Sequence, residues 1–258
     1  MASQNLDESQ RRTALIEAEE RAFALLDVIQ SERLIQPGRS ERDVERDIYT
    51  LALERFGVEK HWHKRIVRAG ENTLTIAADN PPIRTIGADD MVYIDLGPVF
   101  DEWEADVGRT YVMGLDPQKH RLCADLPRVF RALTQHFDEH ENITGADLYA
   151  EAHRLASEAG WLFGGRIAGH IVGEFPHAHI PGDKDLYRIS ADNPSRMRDP
   201  DAEGQAKHWI IEVHLVEPGR QWGGFYEQLL RPEARPAWPQ RALCGNSHAT
   251  LQPTRFPS

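Results

Sequence analysis

Two aspartates in neighbouring strand-like segments constrain this chain more than any other feature. Asp95 lies in the run 93–97 (Tyr-Ile-Asp-Leu-Gly), and Asp106 follows eleven positions later in the run 104–110. Residues 98–103 are polar enough to turn, so two antiparallel strands could place both carboxylates on one face. Two bare carboxylates repel, and burying them is costly unless a cation lies between them. The alternative is that both are ordinary strand-end or turn residues, and this stretch alone favours neither.

The rest of the chain mixes helical and strand patterns, which predicts an α+β fold. Apolar residues recur at helical spacing over 8–35 and 40–56, and the run at 36–38 (Gln-Pro-Gly) separates the two helices. Further helices are predicted at 118–139 and 145–159, strands are predicted at 60–70, 209–217 and 225–230, and the polar, aperiodic run 182–207 indicates a long surface loop. Ser40 and Thr144 are predicted to cap the helices that follow them.

Composition and charge narrow the classes of partner. The net charge of −11 argues against a nucleic acid or an anionic membrane. No apolar run approaches the roughly 20 residues that span a bilayer, and the N-terminus does not resemble a secretory signal, so a cytoplasmic location is expected. We expect one catalytic domain over residues 1–258, with its core at about 15–231 and a Pro-rich tail at 232–258.

Three histidines are candidates to line a site. His61 and His63 are two residues apart in the predicted strand 60–70, so their side chains would share a face. His214 lies two residues beyond Glu212 and would share the face of that acid. An ordinary structural role remains open for each of them, at the surface for the first two and in the core for His214.

One imidazole and two further acids complete a set with the two aspartates. His170 is flanked by glycines at 169 and 173, and Glu212 and Glu227 lie on predicted strands. Four carboxylates and one imidazole suit Mn²⁺, Co²⁺, Fe²⁺ or Zn²⁺ in a two-metal site, whereas the two cysteines lack the Cys-x-x-Cys spacing of a thiolate site. Such an ion pair acidifies a water molecule and stabilises the oxyanion formed by attack on a carbonyl.

The order and context of these residues resemble the M24 metallopeptidases, the family of methionine aminopeptidase, aminopeptidase P, prolidase and creatinase. The matching segments are 94–97, 104–110, 169–173, 211–212 and 226–227, within a resemblance that runs from about residue 15 to 231. The resemblance implies the pita-bread fold, in which a curved antiparallel sheet is covered by helices. It also implies a homodimer.

The resemblance further assigns roles to individual residues. It implies that Asp95, Asp106, His170, Glu212 and Glu227 hold two divalent metal ions, with Asp106 and Glu227 between them, and that Glu212 also handles a proton. His177, seven residues after His170, would contact the substrate and the tetrahedral intermediate. Thr110 would hydrogen-bond a carboxylate that ligates the metal.

One departure from the family pattern concerns the substrate. The peptidases usually carry a further histidine after an Asn-containing turn, but here the position falls near Ala77, after the turn 70–73, and no histidine is present. His61, His63 or His214 could substitute for it. The missing histidine weakens an assignment to ordinary Xaa-Pro or methionine cleavage.

Three functions are consistent with these residues. The first is a two-metal hydrolase that cleaves a short peptide, Xaa-Pro-like, or a small amide through a metal-activated water. The second is a metal-dependent lyase or other non-peptidase enzyme that acts on a small carboxylate substrate and does not need the missing histidine. The third is a binding protein that uses the cleft without catalysis. Metal content separates the third from the others, and product analysis separates the first two.

Overall fold

The computed structural model describes residues 6–231 and the backbone of residues 245–246. Its α-helices are α1 (Glu8–Ser31), α2 (Glu41–Phe56), α3 (Pro117–Glu139) and α4 (Gly145–Glu158). Its strands are β1 (Ile66–Ala69), β2 (Met91–Leu96), β3 (Val99–Phe100), β4 (Trp103–Glu104), β5 (Val107–Val112), β6 (Leu162–Phe163), β7 (Gly169–Val172), β8 (His208–Val216), β9 (Gly223–Leu229) and β10 (Gly245–Asn246). Apart from β10, the tail predicted at 232–258 lies outside the described residues. None of the described helices combines the length and the apolarity needed to cross a membrane.

Most of the strands belong to one sheet, in the order β1-β2-β5-β9-β8-β6, and every pair along this path is antiparallel. The outer edge of β8 is shared, because β7 pairs with its first half and β6 with its last two residues. β10 runs parallel to the end of β5, and β3 and β4 form a separate hairpin. Strands β2, β5, β9 and β8 are therefore consecutive in the middle of the sheet.

The helices cover one face of this sheet, and the opposite face carries both acidic residues and a small apolar cluster of Ile66, Tyr93 and Phe225. Val92, Ile94 and Leu96 of β2 pack in one hydrophobic cluster with α1 and α2. Three residues of β8, at positions 211, 213 and 215, pack in a second cluster with α3 and α4. Side chains alternate along a strand, so the residues between these positions point to the opposite face. That face carries the acidic residues predicted for the site.

Local signals predict where most of the helices begin and end. Ser40 and Thr144 accept hydrogen bonds from the backbone N–H groups of Asp43 and Asp147, as their predicted capping roles require. α2 ends at Gly57, which has a left-handed backbone. α1 was predicted to reach residue 35 but ends at residue 31, because the backbone of Arg33 turns to a φ of 57°.

The segment 60–65 is not the regular strand that its alternating pattern predicts, since β1 begins only at Ile66. The backbone N–H of Trp62 donates to the carbonyl of Gly97 (2.9 Å), and the backbone N–H of Val99 donates to the carbonyl of Lys60 (3.0 Å). These two bonds form one isolated bridge to the end of β2, after which the chain bends. The prediction that His61 and His63 share a face is therefore wrong.

The segment 182–207 is more than the surface loop predicted from its polarity. Tyr187, Ile189 and Met197 are buried in the cluster that contains α3 and α4. The fully buried side chain of Asn193 donates hydrogen bonds to the carbonyls of residues 186 and 188. One buried amide therefore organises the turns of a segment that has no regular strand.

Candidate metal centre

The register of the sheet brings the predicted acids into one row. Asp95 of β2 pairs with Gly108 of β5, Gly108 pairs with Glu227 of β9, and Glu227 pairs with Glu212 of β8. A Cβ at Gly108 would lie 2.6 Å from the ring of Phe225. Glycine therefore lets β9 pack closely beside β5 in the middle of the row. Asp106, two residues before Gly108, enters the site from the start of β5.

His170 of β7 joins this row from the outer edge of the sheet. Its Nε2 atom lies 3.1 Å from Oδ2 of Asp106, 3.7 Å from Oε1 of Glu212 and 3.9 Å from Oε1 of Glu227. A second imidazole approaches from the irregular segment before β1. Nε2 of His63 lies 3.2 Å from Oδ1 of Asp106 and 3.4 Å from Oδ1 of Asp95. The structure thus gathers the five residues predicted to bind metal and adds His63.

Burial dominates the electrostatics of the acids. It raises the pKa of Asp95 to about 7 and that of Glu212 to about 8, although His63 and His170 partly oppose it. Burial and the neighbouring acids also raise the pKa of Glu227 well above its usual range. Asp106 is different, because the charge of His63 and hydrogen bonds from both histidines outweigh burial and lower its pKa to about 2.

The two histidines provide the positive charge that these acids need when no other cation is bound. Burial disfavours the charged form of each ring. The carboxylates of Asp95 and Asp106 nevertheless raise the pKa of His63 to about 10. The hydrogen bond and the charge of Asp106 raise the pKa of His170 to about 9. The centre is therefore a place where cations, whether protons or metal ions, are held strongly.

The donor set fits divalent metal ions. Oε2 of Glu227 is buried and has no hydrogen-bond partner among the described residues, an arrangement that costs free energy unless a cation binds there. Within the described part of the chain, Oδ1 of Asp95 is also buried without a hydrogen bond and has only the ion pair with His63 at 3.4 Å. Carboxylates and imidazoles together suit divalent ions of intermediate softness. Two groups of three residues have donor atoms within 4.8 Å of one another: His63, Asp95 and Asp106, and Asp106, His170 and Glu227. Asp106 belongs to both groups.

The resemblance implied that Thr110 hydrogen-bonds a carboxylate of the metal site, but in the structure its hydroxyl contacts the backbone instead. Its hydroxyl donates to the carbonyl of Phe225 (2.7 Å) and accepts from the N–H of the same residue (2.8 Å). Only one residue pair joins β5 and β9 in the ladder, so this side chain adds a link between the two strands. Thr110 supports Glu227 through the backbone two residues away.

Neither His61 nor His214 reaches the acidic row. His214 shares the face of Glu212, but its Nε2 donates to the carbonyl of Thr73 (2.8 Å) and its ring lies beside Tyr93. Burial lowers the pKa of His214, so this ring is a neutral core residue. His61 lies beside Tyr49, and burial lowers its pKa to about 4. Of the three candidate histidines, only His63 enters the site.

His177 lies at the rim of the centre and is held by a residue that the sequence analysis did not single out. The buried carboxylate of Glu104 accepts hydrogen bonds from Nδ1 (2.6 Å) and from the backbone N–H (2.9 Å) of His177. The ring of His177 stacks against that of His170 with 5.9 Å between centroids. In the sequence, Glu104 lies two residues before Asp106 in a run predicted as a strand, and this spacing was the signal that could have identified Glu104.

Trp62 is the second residue of the centre that the sequence analysis missed. Its ring meets three histidine rings edge-on, with centroids 4.4 Å from His63, 5.1 Å from His170 and 5.0 Å from His177. Its indole N–H donates to the carbonyl of Ala105 (3.1 Å). The indole therefore forms an apolar wall that fixes the three imidazoles relative to one another.

Comparisons with known proteins agree with this geometry. The model of metallopeptidase family M24 matches residues 14–221. The chain therefore belongs to metallopeptidase family M24. No curated protein sequence was found to match it.

Solved structures of low sequence identity share the fold. A prolidase from Thermococcus sibiricus superposes with a TM-score of 0.65 at 20% identity, over 90% of this chain and 61% of that one. A dipeptidase from Pyrococcus horikoshii OT3 gives 0.65 at 21% identity, over 86% and 56% of the two chains. An X-Pro aminopeptidase from Thermotoga maritima gives 0.64 at 17%, over 89% and 63%. The chain spans about three-fifths of the length of these proteins, and the predicted pita-bread fold is confirmed.

Proposed function

We propose that this protein is a hydrolase that requires two divalent metal ions and cleaves a short peptide or a small amide. The observation that carries the proposal is the buried row of acids across β2, β5, β9 and β8, closed by imidazoles at both ends. Family membership supports the use of metal for hydrolysis. The proposed ligands are Asp95, Asp106, His170, Glu212 and Glu227.

The chemistry divides between the metal ions and the protein. When bound, the ions acidify water and stabilise negative charge on a carbonyl oxygen. Glu212 is the residue suited to move a proton, because 17% of its side chain is exposed, against 2% for Asp106 and 3% for Glu227.

His177 is suited to contact the reacting part of the substrate. Because Glu104 engages its Nδ1 atom, Nε2 is left to face a ligand. The ring is also partly exposed, at 19%, beside His170. We propose that His177 hydrogen-bonds the substrate carbonyl or the oxyanion that forms from it, while Glu104 keeps the ring in position.

The contacts around the centre, the structural relatives and the sequence support a choice of substrates to test. Trp62, His63 and His177 close it on one side, which suits a short substrate better than a long chain. Xaa-Pro dipeptides are the first candidates because prolidase and X-Pro aminopeptidase are among the structural relatives. The absence of a histidine near residue 77 makes small amides the second class to test. We also propose a cytoplasmic location, as the sequence analysis expects, and a homodimer, which the resemblance alone supports.

The test combines metal content, turnover and product analysis. Elemental analysis of protein purified without chelator should give about two Mn, Fe, Co or Zn per chain. A panel of Xaa-Pro dipeptides and small amides should then reveal a substrate, with oxygen from isotope-labelled water in the product. Glu212→Gln should remove turnover, whereas Glu217→Gln, just beyond the end of β8, should not.

Three results would contradict this proposal. Metal-free protein that folds but binds no added divalent ion would exclude a metal-dependent enzyme. Product formed by elimination, without oxygen from water, would instead identify a lyase. Normal turnover of Glu212→Gln would remove the assigned role of that acid.

A further inference from the structure

We propose that His63 is a metal ligand, so that each of the two ions is bound by one imidazole and both share Asp106. The inference rests on the proposed function only in requiring that the centre binds two divalent ions. It adds a sixth ligand to the five that the sequence analysis assigned. The ligand comes from the irregular segment before β1 rather than from the sheet.

The first argument is the distance between donor atoms. Nε2 of His63 lies 3.4 Å from Asp95 and 3.2 Å from Asp106, and one donor atom from each of the three residues lies within 4.8 Å of the others. The donor atoms of Asp106, His170 and Glu227 likewise lie within 4.8 Å of one another. Oδ1 of Asp106 faces His63 and Oδ2 faces His170, so each oxygen of this carboxylate is available to a different one of the two ions.

The second argument is the orientation of the two rings. Nδ1 of His63 lies 2.6 Å from the carbonyl of Lys64, and Nδ1 of His170 lies 2.8 Å from the carbonyl of Ile171. In both cases Nδ1–H donates to the next residue in the chain and directs Nε2 toward the acids. Histidines that bind metal are typically fixed in this way, with the second nitrogen bonded to a carbonyl or carboxylate.

The other histidines near the centre do not repeat this arrangement. Nε2 of His214 donates to the carbonyl of Thr73, and Nδ1 of His177 is hydrogen-bonded to the carboxylate of Glu104. Within the part of the chain that the structure describes, neither belongs to a group of three residues whose donor atoms lie close enough for one ion. Among the described residues, His63 and His170 are the two that combine a fixed Nδ1 with an Nε2 atom facing Asp106.

The third argument is that the chain makes room for the His63 ring. A Cβ at Gly97 would lie 2.3 Å from Cδ2 and 2.5 Å from Nε2 of His63. Gly97 also accepts the backbone hydrogen bond of Trp62, so the residue before His63 is fixed to the end of the strand that carries Asp95. A side chain at position 97 would push the imidazole away from the carboxylates.

A nitrogen ligand on each side predicts the metal preference of the centre. Imidazole favours Zn²⁺, Fe²⁺ and Co²⁺ relative to the ions that prefer oxygen ligands, such as Mn²⁺ and Mg²⁺. Replacing His63 by Gln should therefore weaken the binding of Zn²⁺ or Co²⁺ to one site by at least about 10- to 100-fold, since even indirect support of a ligand has that effect. Mn²⁺ binding should fall less.

The test uses the full-length protein loaded with Co²⁺. Calorimetric titration should give two ions for the wild type. Proton NMR should show two hyperfine-shifted imidazole N–H signals, from Nδ1 of His63 and of His170. His63→Gln should lose one of these signals and one tight site, whereas the matched control His61→Gln should retain both. Gly97→Ala leaves His63 in the sequence but would displace its ring together with the indole of Trp62, and it should lose the same signal and the same tight site.

The outcomes distinguish this inference from the proposed function. Two bound ions with only one shifted N–H signal in the wild type would overturn the role of His63 and leave the two-metal hydrolase intact. Unchanged Co²⁺ affinity and stoichiometry in His63→Gln would do the same. A wild type that binds no Co²⁺ would contradict both. Thermal melting of each metal-free variant checks that the loss of a signal does not come from unfolding.

Discussion

The acidic centre has an imidazole Nε2 atom on each of two sides, the side of His170 and the side of His63, but the backbone that carries the ring differs between them. His170 lies on β7, where four consecutive residue pairs with β8 fix its direction. His63 lies in an irregular segment that is fixed by the hydrogen bonds of residues 60 and 62 to the end of β2. Both rings nevertheless donate Nδ1–H to the next carbonyl and meet Asp106. A sheet is therefore not required to position an imidazole, but the irregular side depends on fewer contacts.

The first prediction concerns Asp106, the residue that both sides share. Asp106→Asn removes the charge that both histidines contact, so we expect both ions to be lost. The loss of several kcal/mol of metal-based stabilisation corresponds to a fall in kcat/KM of at least about 1,000-fold. Elemental analysis and turnover measure the two effects, with Asp192→Asn, an exposed aspartate, as the control. One ion retained at full occupancy would show that the two sides are independent.

The second prediction separates the rim from the metal ligands. Glu104→Gln keeps the size of the side chain but weakens its hydrogen bonds to His177, which are charge-assisted in the native protein. We expect kcat to fall about 10- to 100-fold, the range found when a residue that orients a functional side chain is lost, with metal content unchanged. A loss of metal together with activity would instead make Glu104 part of the support of Asp106. Glu102→Gln, an exposed acid of the same hairpin, is the control.

Regular strands explain why the acidic row could be predicted from the sequence. Asp95, Glu212 and Glu227 alternate with apolar residues that pack under the helices, so their face follows from the period of a strand. His170 also lies on a short strand. The order of these residues, together with the resemblance to M24 enzymes, was then sufficient to predict the fold.

Irregular segments explain what could not be predicted. An alternating pattern assigned His61 and His63 to one face, but a tertiary hydrogen bond from Trp62 to Gly97 bends the chain between them. No local pattern contains that contact. In the same way, polarity predicted a surface loop at 182–207, whereas Asn193 and Met197 are buried there. The sequence of a loop reveals its polarity, but the contacts that order the loop are made with residues distant in the chain and leave no local pattern.

The third prediction concerns pH and compares protons with metal ions at the same acids. In the metal-free protein, the pKa values of Asp95 and Glu212 are raised to about 7 and 8, and those of His63 and His170 to about 10 and 9. Each group binds its proton more tightly when folded. Its contribution to stability is present below the unfolded pKa and is lost as pH rises through the folded value.

Metal ions replace these protons, so bound metal should oppose the loss of stability that the metal-free protein shows as pH rises. We expect the melting temperature of the metal-free protein to fall between about pH 5 and pH 9, and the increase caused by added Mn²⁺ to grow over the same range. Differential scanning calorimetry with and without Mn²⁺ measures both. An Mn²⁺-induced shift that does not change with pH would mean that the ions bind somewhere other than these acids.

The last prediction tests how well the sheet supports its side of the centre. The hydroxyl of Thr110 donates to and accepts from the backbone of Phe225, two residues before Glu227. Thr110→Val keeps the shape of the side chain but leaves both backbone groups unpaired, at a cost of about 1–3 kcal/mol in the free energy of unfolding. Chemical denaturation measures this cost, and Thr50→Val, on the exposed face of α2, is the control.

Metal binding should respond differently from stability in this variant. The ladder of β8 and β9 extends from the pair Ile210–Leu229 to the pair Val216–Gly223 and still fixes Glu212 opposite Glu227 when the link from β5 is lost. We therefore expect two Co²⁺ ions in Thr110→Val, whereas Gly97→Ala should lose one. If Thr110→Val loses an ion and Gly97→Ala does not, the sheet-supported side is the fragile one, and the proposed contrast between the two sides is wrong.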